Sequence, residues 1–268
     1  MVRAAVLDMY DGGPGQGIRA IREILEKYSG VIEYEWFDVR DKAEVPDMSF
    51  DLYIGTGGPG SPFDLNAPWD KELFDLVDSI LEHNKKASKK KYLFLICHSF
   101  QMVCIHLKIG EVSERKSRSF GTFPCHLSRD GRQDPIMGKL GDPFYVADFR
   151  NWQVVKPNEE VLENMGAKIL ALEKIRPHVD LERAIMAVRF SDEVFGTQFH
   201  PEADPHGLME HFQQPEKKKH VLTTYGEEKF QTMIRDLAHP LKIQHTHDVI
   251  IPGFINSALE NLISEAKP

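Results

Sequence analysis

The apolar run Tyr92-Leu93-Phe94-Leu95-Ile96 constrains the fold more than any other stretch, because it has strand length, lacks a polar face and passes straight into a helical pattern at Cys97. A strand that is apolar on both sides belongs in the middle of a parallel sheet with helices on both faces. The spacing of Met102, Val103, Ile105 and Leu107 predicts a helix directly afterwards, so Cys97 falls on a strand-to-helix turn at the carboxyl edge of the sheet. A side chain on such a turn stands clear of the sheet. The N–H groups that open the helix lack intrahelical partners and can receive developing negative charge. From this alone Cys97 is open to two readings, a nucleophile or an inert buried thiol.

The chain before this run alternates strands and helices. Ala4 to Tyr10 reads as a buried strand, closed by the turn cluster Asp11-Gly12-Gly13-Pro14-Gly15, and Ile18, Ile21, Ile24 and Leu25 fall on one helical face. Ile32 to Phe37 returns as a strand, completing a βαβ unit, and Asp51 to Ile54 is a third. Leu73, Leu76, Val77, Ile80 and Leu81 mark the next helix. The lysine-rich stretch from Asn84 to Lys91 reads as a solvated connection, since cations at a helix end complement its dipole without any partner.

Beyond residue 110 the pattern changes to short strands separated by turn residues: 120–127, 144–149, 152–155, 169–172, 184–188 and 194–199. From Pro205 onward the reading is helical, with Phe230, Met233, Ile234 and Leu237 on one face and a last helix from about 254 to 266. The expected architecture is an α/β fold with an open, mostly parallel twisted sheet flanked by helices, plus short antiparallel strands and a helical C-terminal tail. It is expected to form one domain over residues 1–268.

A net charge of -8 argues against a general binder of nucleic acid or anionic membrane, both of which need a basic surface. No apolar run approaches the roughly 20 residues of a membrane-spanning helix, and Met1-Val2-Arg3-Ala4-Ala5 has no long apolar signal region. Three cysteines, Cys97, Cys104 and Cys125, do not make a disulfide framework, so a reducing cytoplasm is expected. His200, His206 and His211, or His245 with His247, lack co-ligands at usual metal spacing, and neither a metal nor a cofactor is assigned.

Two further stretches join the cysteine. Gly57-Gly58-Pro59-Gly60-Ser61-Pro62 follows a predicted strand, where glycines let backbone amides approach a ligand; without a phosphate-loop lysine it reads as such a cradle or as a plain turn. In Phe195-Gly196-Thr197-Gln198-Phe199-His200-Pro201-Glu202 a histidine and a carboxylate stand two apart at a strand end and can point to one side. A histidine oriented by a carboxylate is the base a cysteine nucleophile needs, although a lone histidine is more often a packed or surface residue.

Together these three motifs resemble the class I, triad-type glutamine amidotransferases, similar to the amidotransferase domain of GMP synthase, over roughly residues 4–203. Thr56 to Ser61 resembles the family's oxyanion loop, Cys97-His98-Ser99-Phe100-Gln101 its nucleophile turn, and Gly196 to Glu202 its histidine-glutamate segment. The extension 204–268 lies outside the resemblance. The family has glycine two before and two after the cysteine, where this chain has Leu95 and Ser99, so a displaced, slow or retuned Cys97 is expected.

The resemblance implies a catalytic triad of Cys97, His200 and Glu202. It implies an oxyanion hole of the Gly58 and His98 backbone N–H groups, and substrate contacts from Gly57, Pro59, Gly60, Ser61 and Gln101, the last of which reads equally as a helix-surface residue. The implied substrate is glutamine, hydrolysed through a cysteine thioester. Only about 65 residues follow Glu202, too few for a synthetase module, so the ammonia is expected to go to an acceptor on a separate partner or to none. A γ-glutamyl hydrolase acting on another small molecule, and a non-catalytic binding subunit of the same fold, are the alternatives.

Overall fold

The computed structural model describes residues 1–13, 15–64, 67–176 and 181–264. In chain order the elements are β1 (Val2–Asp8), α1 (Gln16–Glu26), β2 (Ile32–Asp38), α2 (Val39–Lys42), β3 (Leu52–Gly55), α3 (Pro68–Lys86), β4 (Tyr92–Ile96) and α4 (His98–His106). They are followed by β5 (Gly110–Leu127), α5 (Arg129–Gln133), a 3-10 turn (Met137–Lys139), β6 (Phe144–Pro157), α6 (Glu159–Met165), β7 (Lys168–Glu173), β8 (Ile185–Arg189) and β9 (Val194–Thr197). The chain closes with α7 (Pro205–Gln213), α8 (Pro215–Tyr225), α9 (Glu227–Leu237) and α10 (Ile243–Ser264).

One sheet of nine strands runs in the order β2-β1-β3-β4-β9-β8-β7-β5-β6. The first five strands are parallel, with Leu52↔Tyr92 opening the β3–β4 register and Leu93↔Val194 opening β4–β9. The remaining strands pair antiparallel. Alternation along the parallel strands sorts the core into two layers. Ala4, Val6, Ile54, Phe94 and Ile96 pack with Ile21 and Ile24 of α1 and with Phe254 and Ile255 of α10. Ala5, Leu7, Tyr53, Leu93 and Leu95 pack with Leu73 and Val77 of α3 and Val103 of α4. This two-sided burial is why β4 carries no polar residue. The carboxyl ends of β1, β3, β4 and β9 all lie at one edge, where α/β sheets bind ligands.

The antiparallel half is longer than the sequence pattern suggests. β5 begins at Gly110 rather than 120, and 144–149 and 152–155 form one strand, β6. Residues 110–119 lack apolar alternation because many of their side chains face solvent while the backbone pairs with β6. In β6 the charged residues that imitate a turn are buried together: Arg150 Nε lies 2.9 Å from Asp148, whose other oxygen accepts from Ser119 Oγ at 2.6 Å, and Glu173 stands 3.6 Å from Arg150. A buried ion pair that is hydrogen-bonded on its remaining atoms is tolerated in a strand interior.

The tail makes two unlike contacts. Leu208, Phe212, Val221, Phe230, Met233 and Leu237 of α7–α9 form their own cluster against Phe120 and Phe149 of the β5–β6 hairpin. α10 starts at Ile243, eleven residues before the expected 254, and passes through Pro252; a proline reads as a helix breaker, but this helix continues with Phe254 against Phe94 and Phe195. Residues 265–266 of the expected last helix, and Pro14 of the first turn cluster, lie outside the described residues. The lysine stretch is a tied turn: Asn84 donates to the Lys91 carbonyl and accepts from its N–H, and Lys86 and Lys89 pair with Glu82 and Asp51.

Candidate active site

Cys97 caps α4 with φ 47° and ψ -93°, a left-handed conformation that a side-chain-bearing residue adopts only when its surroundings enforce it. Its N–H donates to the Thr197 carbonyl of β9 at 2.8 Å, and its carbonyl accepts from Gln101 N at 2.9 Å. The two departures from the family pattern sit within this turn. Ser99 Oγ accepts from Ile96 N at 2.9 Å and donates to the Gly55 carbonyl at 2.9 Å or the Ile96 carbonyl at 3.0 Å, so the hydroxyl pins the turn to β3 and β4. Leu95 is flanked on the sheet by two glycines, Gly55 of β3 and Gly196 of β9. A Cβ on Gly55 would stand 2.9 Å from Ser99 Oγ and 3.2 Å from Leu95, and one on Gly196 would stand 2.6 Å from Phe100 and 3.3 Å from Leu95. The volume added at 95 and 99 is matched by its absence on the neighbouring strands.

His200 follows β9 and is held by its N–H to the Ala147 carbonyl of β6 at 3.0 Å. Its Nδ1 donates to Glu202 Oε1 at 2.7 Å, with the His200 and Glu202 side chains 13 % and 1 % exposed. The imidazole stands beside Cys97: a Cβ on Gly57 would meet both side chains. Burial alone would lower the His200 pKa, yet the Glu202 carboxylate and the Cys97 thiolate together raise it well above the ordinary histidine value. The His200 ring is thereby held toward its imidazolium form beside the Cys97 sulfur. Glu202 Oε2 has no hydrogen-bond partner among the described residues, while the Glu202 carbonyl accepts from His247 Nδ1 of α10 at 3.1 Å.

The glycine loop closes over this pair. A Cβ on Gly57 would lie 2.7 Å from His200 Cε1 and 3.6 Å from the Cys97 Cβ, and one on Gly58 would lie 2.1 Å from the Met9 carbonyl oxygen. Only glycine fits at 58. Thr56 Oγ1 accepts from Met9 N at 2.9 Å and donates to the Gly57 carbonyl at 2.8 Å. Gly60, at φ 91°, reverses the loop, and Pro59 and Gly60 are exposed at the rim with Ser61 half-buried beside them. Gln101 is buried, not on the helix surface, and its Nε2 donates to the Trp152 carbonyl of β6 at 3.3 Å. The His98 ring is buried as well; burial and the Arg40 charge push its pKa down to about 3, leaving a neutral imidazole beneath the turn.

Several neighbours carry no signal in the sequence. Tyr10, at the end of β1, places its hydroxyl beside Gly17 and near Glu202; burial first, and the Glu202 and Cys97 charges next, push its ionisation far up, so it stays a neutral phenol. Arg40 of α2 donates from Nη1 to the Met9 carbonyl at 3.2 Å and to Pro59, bracing the loop. The Phe149 ring is 6.2 Å from His200. A cavity of about 390 Å³ opens beside His200 between α1, the glycine loop and α7. Among the described residues, no group of three or more His, Cys, Asp or Glu converges as a metal site, and no helix is long and apolar enough to cross a membrane.

A turn-borne thiol, a carboxylate-oriented imidazole and a glycine loop at one sheet edge define an arrangement suited to acyl transfer through cysteine. The glutamine amidotransferase class-I family model matches residues 5–214. The chain belongs to the class I glutamine amidotransferase family. Among solved structures it resembles a glutamine amidotransferase from Thermotoga maritima at 15% identity, covering 98% of each chain with a TM-score of 0.68. A glutamine amidotransferase from Methylobacillus flagellatus is similar at 15% identity, with 98% of this chain and 94% of that one covered and a TM-score of 0.64. The glutaminase domain of Trypanosoma brucei CTPS, solved with bound acivicin, matches at 15% identity over 75% of this chain and 86% of that one, with a TM-score of 0.54. At these identities the likeness concerns the fold. No curated protein sequence matches the chain.

Proposed function

We propose that this chain hydrolyses the side-chain carboxamide of glutamine through a thioester on Cys97 and releases ammonia for an acceptor on a partner synthetase in the cytoplasm. The observation that carries the reading is the placement of Cys97, on a positive-φ turn, beside the His200 imidazole that Glu202 holds at 2.7 Å. The Cys97 thiolate attacks the γ-carbonyl carbon, and the resulting oxyanion is received by the N–H groups of Gly58 and His98. The His200 imidazolium protonates the departing ammonia, then as imidazole takes a proton from the water that cleaves the thioester. Glu202 keeps the imidazole in the required tautomer and orientation. Gly57, Gly60, Pro59, Ser61 and Gln101 form the floor and rim that place the substrate, Gln101 being steadied by β6.

The whole chain, residues 1–268, acts as one unit in this reading, because α10 holds the Glu202 backbone through His247. Free glutaminase activity wastes glutamine, so coupling to a partner through the oxyanion loop is physically sensible, one misaligned oxyanion donor being worth about 10²–10³ in rate. A steady-state assay of the purified chain tests this: slow glutamate release that a partner or acceptor accelerates is expected. Fast unassisted turnover removes the need for a partner, and unreactive Cys97 favours a non-catalytic binding subunit.

A further inference from the structure

We propose that Tyr10 is a positioning residue for the triad, its hydroxyl donating to the Glu202 carboxylate in the reacting site; the proposal rests on the glutaminase reading above. The observation behind it is a buried oxygen left over. Glu202 Oε1 accepts from His200 Nδ1 at 2.7 Å, and the Glu202 carbonyl accepts from His247 Nδ1 at 3.1 Å. Glu202 Oε2 is buried and has no hydrogen-bond partner among the described residues. A buried carboxylate oxygen without a donor is costly, and a carboxylate held through one oxygen alone can swing about that contact.

The junction of β1 and α1 brings a donor to this carboxylate. A Cβ on Gly17 would meet the Tyr10 hydroxyl first and Glu202 Oε1 at 3.0 Å, so the two oxygens flank one point in the first turn of α1. A Cβ on Gly15 would lie 2.6 Å from Tyr10 Cε1, so the slot for the ring exists only because both positions are small. The Tyr10 backbone is pinned on both sides: its N–H donates to Asp8 Oδ1 at 2.8 Å, and its carbonyl accepts from Gly13 N at 3.3 Å. Arg19, the cation in the same turn of α1, is already paired with Asp204 and Glu23.

A neutral donor suits this place better than a cation. A cation on Oε2 would oppose the field by which Glu202 holds the His200 ring as imidazolium, whereas a phenol fixes the carboxylate plane and leaves its charge to the ring. Burial first, and the Glu202 and Cys97 charges next, keep Tyr10 in that phenol form. In the free site the two groups are neighbours; hydrogen bonds at catalytic groups tighten when substrate binds.

The test is Tyr10→Phe in the purified full chain, which keeps the ring in its slot and deletes only the hydroxyl. A hydrogen bond to a charged group corresponds to about 10–100-fold, so kcat for glutamine is expected to fall at least about tenfold while KM stays within about twofold of wild type. The second readout is the low-field proton resonance of the His200–Glu202 hydrogen bond, identified by its absence from His200→Ala, which should shift in Tyr10→Phe. Gly17→Ala puts a methyl against both oxygens and should lower kcat by a similar factor, in a helix where alanine is otherwise the better residue; it carries the test should Tyr10→Phe fail to fold. An unchanged kcat, or a lowered kcat with the resonance unmoved, overturns the role of Tyr10 and leaves the glutaminase reading standing. If the wild-type chain neither hydrolyses glutamine nor is labelled at Cys97 by a glutamine-derived chloroketone, the glutaminase reading fails, and the resonance alone decides whether Tyr10 holds Glu202: a shift supports it and an unmoved line overturns it.

Discussion

The two walls of the site are built in opposite ways. The Cys97 wall comes from adjoining strands and five consecutive residues: Leu95 between Gly55 and Gly196, and Ser99 folding its hydroxyl back onto Ile96 and Gly55. The His200 wall is gathered from across the chain, with Tyr10 and Gly17 from the start, Ala147 and Phe149 from β6, and Leu208 and His247 from the extension. Cys97 is set by its own turn and by the strands that adjoin β4, whereas His200 is held by contacts gathered from β6, the start of the chain and the extension. The first wall is rigid by covalent proximity and sheet pairing. The second depends on tertiary docking.

The largest expected effect separates the walls by role. Cys97→Ala or His200→Ala should lower glutamine turnover by about 10⁴-fold or more, while Glu202→Gln should leave activity measurably above either, since the orienting member contributes less directly. Glu202→Gln also removes the negative charge that keeps the His200 pKa raised, so the alkaline limb of the kcat/KM profile should move to lower pH. A pH profile of Glu202→Gln identical to wild type would mean that another group holds the imidazolium. The same raised pKa makes the His200 contribution to stability complete below the unfolded histidine pKa of ~6.5 and lost as pH rises through the folded value.

A smaller effect probes the loop between the walls. Gly58→Ala places a methyl 2.1 Å from the Met9 carbonyl oxygen, a backbone atom that cannot rotate away. The loop must shift, and turnover should fall about 10²–10³-fold through loss of one oxyanion donor. Unchanged kcat with a Gly58→Ala chain of native thermal stability would exclude Gly58 from the oxyanion site.

The smallest expected effect lies in the Cys97 wall itself. Ser99→Ala leaves the buried Ile96 N–H without its side-chain acceptor, and a loss of about 1–3 kcal/mol in stability is expected by denaturant titration. A stability change within error would show that the hydroxyl does not hold the turn.

The same contrast explains what the residues disclose before folding. The parallel half is legible because central strands are uniformly apolar and each is followed by a helix with a 3.6-residue repeat, so Cys97, the glycine loop and the His200 segment fall at strand ends in the correct order. Leu95 and Ser99 read as departures because their compensation lies in Gly55 and Gly196, which are neighbours only across the sheet. β5 and β6 are obscured by polar, solvent-facing residues in one strand and a buried Arg150–Asp148 pair in the other. Tyr10, Arg40 and Phe149 have no local pattern at all, since a lone tyrosine, arginine or phenylalanine gains its place at the site only through tertiary contact.

The central claim is that the Cys97 wall carries the nucleophile, and labelling tests it most directly. A glutamine-derived chloroketone should modify Cys97 in strong preference to Cys104 and Cys125, whose buried thiols are pushed well above the ordinary cysteine pKa, and glutamine should protect against the reaction. Peptide mass spectrometry after digestion reads the outcome. Modification confined to Cys97 and suppressed by glutamine is the predicted result; equal modification of all three cysteines, or none at Cys97, would contradict the account.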